Sequence, residues 1–155
     1  MKKIDRIIRD LDATIEAAKK IAAVEIYANI DHRVFTAGKD RDGNKIGSYS
    51  TTKLPASFFG LEETEYPNGI SYKEYRGLKG LKTDFIDLKF TGELQRSITL
   101  NDESVYFKNQ YGVEIGGYNE VRFGKKIFSP GAVEKKIFID VLNDELDKLW
   151  KSSSV

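Results

Sequence analysis

Apolar side chains recur every three or four residues along the first 37 residues, and this period constrains the fold more than any other feature. They are Ile4, Ile8, Leu11, Ile15, Ala18 and Ala22, continued by Ile26, Ile30, Val34 and Ala37. Charged residues occupy the opposite side, as on an amphipathic helix with one buried face. Gly38 is a natural helix stop. The pattern predicts helix over 3–37, either as one long helix or as two helices with a bend near Ala22–Glu25.

A second long helix is predicted at the C-terminal end, over 130–151. Ser129-Pro130 combines a capping hydroxyl with a proline suited to the first helical position. Apolar residues follow at helical spacing: Val133, Ile137, Phe138, Val141, Leu142, Leu146 and Leu149. We expect this helix to belong to the core and to pack on a small sheet.

The segment 38–70 is predicted to be a long irregular loop. It is interrupted by Gly38, Gly43, Gly47, Pro55, Gly60, Pro67 and Gly69. A loop of this length in a compact domain is generally functional or disordered. Disordered linkers are poor in aromatic residues, whereas this loop contains Tyr49, Leu54, Phe58, Phe59 and Tyr66. These side chains need a surface to cover, either on this domain or on a neighbouring molecule.

The middle of the chain, 71–128, reads as a mixture of short helices and strands. Residues 71–77 suggest a short helix, and Thr91 is placed to cap another with Glu93 in its first turn. Strand-like segments follow at 97–100, 105–109 and 113–115, the first two separated by the turn residues Asn101-Asp102. An antiparallel meander of three strands needs a helix against one face to be stable. The predicted fold class is therefore α+β, in a single domain over 1–155.

Composition excludes several classes of function. The 155 residues suit one domain that buries roughly 70% of its unfolded surface. A net charge of +1, from 25 basic and 24 acidic residues, argues against general nucleic-acid binding. The absence of cysteine excludes disulfides and thiolate metal sites, and suits a reducing cytoplasm. No apolar run of 18 residues occurs, so no membrane partner is expected.

Motifs for catalysis or cofactor binding fail when tested residue by residue. His32 is the only histidine, which excludes a His–His zinc pair. Residues 40–44 suggest a calcium loop, but its first and twelfth positions would be Gly38 and Tyr49, so a polar turn is predicted. Residues 77–83 lack the adjacent Gly-Lys-Ser/Thr of a phosphate loop. We therefore predict no catalytic residue, no metal and no cofactor, and a chain that is not an enzyme.

Several short motifs stand in a fixed order over roughly residues 30–150. They are Arg33-Val34-Phe35, Gly38-Lys39, Asp42-Gly43, Ile46-Gly47-x-Tyr49-Ser50, Tyr72-Lys73-x-Tyr75-Arg76, Asp87-Leu88-x-x-Thr91-Gly92-Glu93-Leu94-x-x-Ser97-Ile98 and Arg122-Phe123-Gly124-x-x-Ile127-Phe128. Together they resemble the Mu-like tail-completion or virion-morphogenesis proteins of tailed bacteriophages, which have relatives among head–tail joining proteins. One departure is Phe90, where that family leads one to expect a polar residue such as aspartate.

The resemblance implies a structural component of the neck, forming a ring between portal and tail. Its partners would be further copies of itself and neighbouring neck, portal-adaptor or tail proteins, with DNA only passing through. Its location would be the virion, after synthesis in the host cytoplasm. Two alternatives stay open: another virion part, such as a head-completion or tail-tube-associated protein, and a nucleic-acid-binding module.

Two sets of side chains are candidates for contacts. The expected interface set carries large apolar or aromatic groups in or next to the irregular loop: Tyr49, Leu54, Phe58, Phe59, Tyr66, Tyr72 and Tyr75. The expected set for contacts to a DNA channel or a partner is basic: Arg96, Arg122, Lys125 and Lys126. The same basic set would serve the nucleic-acid-binding alternative.

Overall fold

The computed structural model describes residues 2–101 and 104–152. The elements, in chain order, are α1 (Lys2–Asp31), a π-helical turn (His32–Thr36), β1 (Lys53–Leu54), a 3-10 turn (Ala56–Phe59), β2 (Ile70–Ser71), α2 (Tyr72–Leu78), α3 (Glu93–Ser97), β3 (Ile98–Leu100), β4 (Val105–Phe107), α4 (Gln110–Phe123) and α5 (Ala132–Ser152). The α+β class is confirmed, with long helices at both ends and short antiparallel strands between them. Asp102 of the predicted turn lies outside the described residues.

The N-terminal periodicity produces one helix rather than two. α1 runs without a break through 22–25, where a bend was the alternative. Ala22 and Ala23 are buried there, and alanine has the highest helix propensity of any residue. The π-helical turn then buries Arg33, Val34 and Phe35 at the C-terminal end of α1.

The C-terminal helix packs along α1, so its predicted position on the sheet is wrong. Ala18 and Ala22 of α1 form a buried cluster with Val141 of α5, and their small side chains let the two helices approach closely. A buried ion pair fixes the same arrangement, with Arg33 Nε 2.8 Å from Glu134 Oε1. These contacts occupy the apolar face of α5 that was expected to cover strands.

The start of α5 also differs from the prediction. The helix begins at Ala132 instead of residue 130, and the Glu134 carboxylate accepts the N–H of Gly131 at 2.8 Å. The predicted cap, Ser129, has a buried hydroxyl without a hydrogen-bond partner. Because Arg33 holds Glu134 in place, the carboxylate closes the first turn and the serine does not.

The three-stranded meander is reduced to a hairpin. β3 and β4 pair antiparallel, with Ile98 opposite Phe107, which confirms the first two predicted strands. The third, 113–115, is wrong because it lies inside α4. Asn109 caps this helix by accepting the N–H of Gly112 at 2.9 Å. Gly112 lets α4 approach both α3 and the hairpin, since a Cβ there would lie 2.4 Å from Ser97 Oγ of α3 and 2.8 Å from the Phe107 ring of β4.

Both short helices predicted in the middle of the chain are present. α2 begins one residue later than expected, after Ser71. α3 begins after Gly92, whose φ of 76° marks the cap position, one residue beyond the predicted Thr91. The Thr91 hydroxyl still accepts the N–H of Glu93, at 3.3 Å.

The main core lies between the C-terminal half of α1, the β3–β4 hairpin and the irregular segments. Its buried apolar residues are Ile30, Val34, Phe35, Ile46, Ile86, Leu94, Ile98 and Ile127. Full burial of a large apolar side chain contributes roughly 1.5–3 kcal/mol. Among the described residues, no helix combines the length and apolarity that a membrane span requires.

Candidate functional site

The irregular segment 38–70 is tied to α2 by a short antiparallel ribbon. Lys53 of β1 lies opposite Ser71 of β2. Ser71 then caps α2, since its hydroxyl accepts the Glu74 N–H at 3.2 Å while the Glu74 carboxylate accepts the Ser71 N–H at 2.7 Å. The Ser71 N–H, followed by its hydroxyl, lowers the pKa of Glu74. This capping box sets the orientation of Tyr72 and Tyr75 on the first turn of α2.

Four rings from three parts of the chain stack into what we call the aromatic ladder: Phe59, Tyr72, Tyr75 and Phe90. The ring centroids of Phe59 and Tyr75 are 4.8 Å apart, and their ring planes differ by 23°. On the other side of Tyr75, the centroid of Phe90 is 6.1 Å away, and the planes differ by 22°. Phe58 meets one end of the ladder edge-on at 5.3 Å, and Tyr49 meets Tyr72 at 5.7 Å. Such pairs contribute about 0.5–1.5 kcal/mol each beyond their buried area.

Behind the ladder lies a buried polar network, here called the clamp, formed by Tyr49, Arg76 and Asp87. Arg76 Nη2 is 3.0 Å from Asp87 Oδ1, and the Tyr49 hydroxyl donates to the same oxygen at 2.8 Å. The guanidinium also lies over the Tyr49 ring, 4.2 Å from its centroid. Arg76 is 1% exposed and Asp87 3%. The Arg76–Asp87 pair at the centre of the clamp is therefore a structural ion pair with almost no exposure to solvent.

The clamp also fixes the segment that leads to the ladder. Arg76 donates to the carbonyl oxygens of Lys82 at 3.0 Å and Lys89 at 2.7 Å. Leu88, between Asp87 and Lys89, has a φ of 51°, a conformation rare for a residue with a side chain. Burial, above all, raises the pKa of Tyr49, so its hydroxyl keeps its proton and remains a donor. Phe90 is thereby held against α2.

An open cleft of about 280 Å³ separates the ladder from α4. Tyr72 and Phe90 line one side, while Tyr111, Tyr118 and Arg122 of α4 line the other. The volume lies just below the roughly 300–1,000 Å³ typical of small-molecule sites. The cleft therefore suits one or two side chains better than a large ligand.

Five of the seven expected interface residues come together in or beside the ladder: Tyr49, Phe58, Phe59, Tyr72 and Tyr75. The other two do not join them. Leu54 lies in β1, and Tyr66 lines a separate shallow pocket with Ile70 and Leu78. Sequence reasoning missed Phe90, Tyr111 and Tyr118, although an aromatic residue where a polar one is expected was a signal for Phe90.

The four basic candidates serve different contacts. Arg122 lines the cleft and lies 5.3 Å from the Phe123 ring. Arg96 donates to the Thr91 carbonyl oxygen at 3.2 Å. Lys125 and Lys126 have carboxylate partners, with Lys125 Nζ 3.6 Å from Asp40 and Lys126 Nζ 3.5 Å from Glu120. Two of the four positive charges are thus paired within the subunit.

The segments tested for metal or catalytic chemistry have ordinary structural roles. Asp40 Oδ1 accepts the N–H groups of Asp42 at 3.0 Å and Asn44 at 2.9 Å, which confirms the predicted polar turn. His32 is an exposed residue of the π-helical turn, as expected for a surface histidine. Over residues 2–101 and 104–152, no group of three or more His, Cys, Asp or Glu side chains is placed to hold a metal ion.

No family model, no curated protein and no solved structure matches this chain.

Proposed function

We propose that the chain is a non-catalytic structural subunit of a tailed-phage neck or tail-completion ring that joins head and tail. The observation that carries the proposal is the clamp. Three of the motifs that resemble the phage family supply one residue each to it: Tyr49, Arg76 and Asp87. Tyr49 and Asp87 are 38 residues apart in the sequence. Motifs matched by chance have no reason to meet in one buried network, so their convergence supports a shared structural unit.

The exposed aromatic surface supports an assembly role. Phe58 is 73% exposed, Tyr118 60% and Phe90 46%. Tyrosine, phenylalanine and arginine are enriched at protein interfaces, and exposed apolar patches mark binding sites. A subunit that leaves several such rings in water is well suited to cover them with a neighbour.

The buried carboxylates also support a structural role. Glu134 is fully buried, and Asp40 and Asp87 are each 3% exposed. Each accepts hydrogen bonds from groups of the fold itself: Arg33 for Glu134, Asp42 and Asn44 for Asp40, and Arg76 for Asp87. A general acid or base must reach a substrate proton. These three carboxylates are committed to holding the chain together.

The two alternatives differ from the proposal in measurable ways. A nucleic-acid-binding module would rely on Arg96, Arg122, Lys125 and Lys126, but the last two are paired with carboxylates. Phosphate contacts give a steep loss of affinity with salt. We expect no such slope in a salt titration of DNA binding, and a steep one would favour the module. A head-completion or tail-tube-associated protein would use the same chemistry at another place in the particle.

Imaging and deletion in the phage or prophage that carries the gene test the proposal. Phage particles are purified from the strain that encodes the chain, and the protein is located with a small tag at high resolution. We expect several copies in a ring at the head–tail junction, and separate heads and tails when the gene is deleted. A single copy per particle would contradict the proposal, as would infectious particles that lack the chain.

A further inference from the structure

The 3-10 turn forms a projection, here called the knob (residues 55–65). Its base is anchored by Ala56, which is fully buried, while Phe58 at its surface is 73% exposed. Glu63 holds the turn closed by accepting the Ser57 N–H at 3.1 Å and the Ser57 hydroxyl at 2.6 Å. The knob is therefore a shaped feature that presents one phenylalanine to the outside.

The knob is acidic and the cleft is basic. The knob contains Glu62, Glu63 and Glu65 but no lysine or arginine. The cleft is lined by Lys89 and Arg122 against one carboxylate, Glu93, once Arg76 is set aside as the partner of Asp87. Charge complementarity of this kind selects partners and speeds their encounter.

The knob does not fill the cleft of its own subunit. Phe58 contacts Phe59 at one end of the ladder, and Phe90, at the other end, lines the cleft. Phe58 is not among the residues that line it. The ladder thus lies between the two features, so Phe58 does not enter the cleft of its own subunit and the cleft is open to the knob of another copy.

We propose that the knob of one copy of this chain docks in the cleft of the next. Phe58 inserts between Phe90 and the tyrosines of α4, with Glu62 and Glu65 facing the basic side chains of the cleft. Because knob and cleft are different surfaces, the contact is head-to-tail, which closes into a ring or continues as a filament. This inference rests on the proposed ring and identifies the surfaces through which its subunits meet.

Disulfide trapping tests the contact, because the chain contains no cysteine of its own. Phe58→Cys is mixed with tagged Tyr118→Cys and oxidised mildly at high protein concentration. The control mixture replaces Tyr118→Cys by Ile139→Cys, at a site on α5 that is 54% exposed. We expect at least about tenfold more cross-linked heterodimer from the first mixture, as a specific contact requires. Equal yields from the two mixtures would overturn the proposal.

A double variant and a charge reversal complete the test. The chain carrying both Phe58→Cys and Tyr118→Cys should form covalent dimers, trimers and larger multimers. A product that stops at the dimer would refute the head-to-tail arrangement. Adding Arg122→Glu should reduce the cross-linked yield about tenfold, and Glu62→Lys with Glu65→Lys in the knob should restore it. If the yield of cross-linked heterodimer is the same with and without these charge reversals, and circular dichroism shows that every variant is folded, the proposal is also overturned.

The trapping result and the proposed function can fail separately. Cross-links that form in solution, together with phage particles that lack the chain, would leave the knob-in-cleft contact standing and remove the neck role. A ring at the neck without these cross-links, in solution or in particles, would retain the function and remove the contact.

Discussion

Replacing Arg76 by methionine tests whether the clamp holds the site together. The guanidinium is 1% exposed, and it donates to the Asp87 carboxylate and to the carbonyl oxygens of Lys82 and Lys89. Methionine fills similar space but donates no hydrogen bond. Asp87, 3% exposed, would keep only the Tyr49 hydroxyl at 2.8 Å and the Lys89 N–H at 3.0 Å. A buried carboxylate would therefore lose its compensating charge.

The expected loss follows from that geometry. Removing one partner of a buried ion pair costs about 3–5 kcal/mol, because the remaining charge is left uncompensated. Stability for a domain is about 5–15 kcal/mol, so the change removes a large part of it. In a chain of this length, each kcal/mol of lost stability lowers the melting temperature by about 2–4 °C. The melting temperature should therefore fall by about 6–20 °C.

Urea unfolding followed by far-ultraviolet circular dichroism measures the effect, since long helices provide most of the signal. Arg122→Met is the matched control, because Arg122 is exposed and its replacement should change stability by less than about 0.5 kcal/mol. Arg76→Lys should recover only part of the loss, since lysine cannot present a planar fork of donors. A loss below about 1 kcal/mol for Arg76→Met would refute the reasoning.

Three further changes test other parts of the fold. The pKa of Tyr49 is raised, chiefly by burial, above the usual value of about 10. The stability that depends on the protonated hydroxyl is therefore fully present below about pH 10 and is lost as the pH rises above it. In urea unfolding, Tyr49→Phe should make the free energy of unfolding fall less steeply above about pH 10 than it does in the wild-type chain. An equally steep fall in both chains would contradict the assignment. Ser71→Ala should lower the free energy of unfolding by about 0.5–2 kcal/mol, because the N-cap of α2 is lost. It should also raise the pKa of Glu74, but only part of the way to its usual value, because the backbone N–H still donates to the carboxylate. An NMR titration in which the pKa of Glu74 does not change would show that the hydroxyl does not bond to it. Ala22→Leu should lower the free energy of unfolding by about 1–3 kcal/mol, because the larger side chain does not fit the close contact between α1 and α5. Ala17→Leu, on the exposed side of α1, should change it little. Equal melting temperatures for the two variants would contradict this packing.

The features predicted correctly are those that depend on neighbours in the sequence. The helix of α1 follows from apolar residues three and four apart, so it was readable without any tertiary contact, although Ile4 and Ile8 of the predicted buried face are exposed. The short helix predicted over 71–77 forms as α2, one residue later, and its capping box joins two residues that are only three apart, Ser71 and Glu74. The polar turn closed by Asp40 spans only five residues. In each case the stabilising contact is local.

α4 shows where local reasoning fails. Alternating Val113, Glu114 and Ile115 look like a strand, and glycine at 112 and 116 lowers helix propensity. The helix forms because both glycines lie against the hairpin, where a Cβ at Gly116 would be 2.6 Å from the Phe107 ring. Asn109 as a cap was the local signal available for this helix.

The candidate site divides in the same way. The aromatic residues of 49–75 were identified from composition, but the rings that complete the ladder and cleft come from other segments, at Phe90, Tyr111 and Tyr118. The basic residues were also identified, yet their partners were not. Whether a lysine charge is free or paired depends on a carboxylate that can lie far away, as Asp40 does from Lys125.

The sequence alone determined the helices at both ends, the irregular segment between them and the α+β class, because helical period, caps and glycine or proline breaks act over a few residues. Tertiary structure alone decided which face of α1 receives α5, that residues 113–115 join a helix, and that Tyr49, Arg76 and Asp87 meet. The physical reason is range. Arg33 and Glu134 are 101 residues apart, and the energy of that pair exists only once the chain has brought them within 2.8 Å.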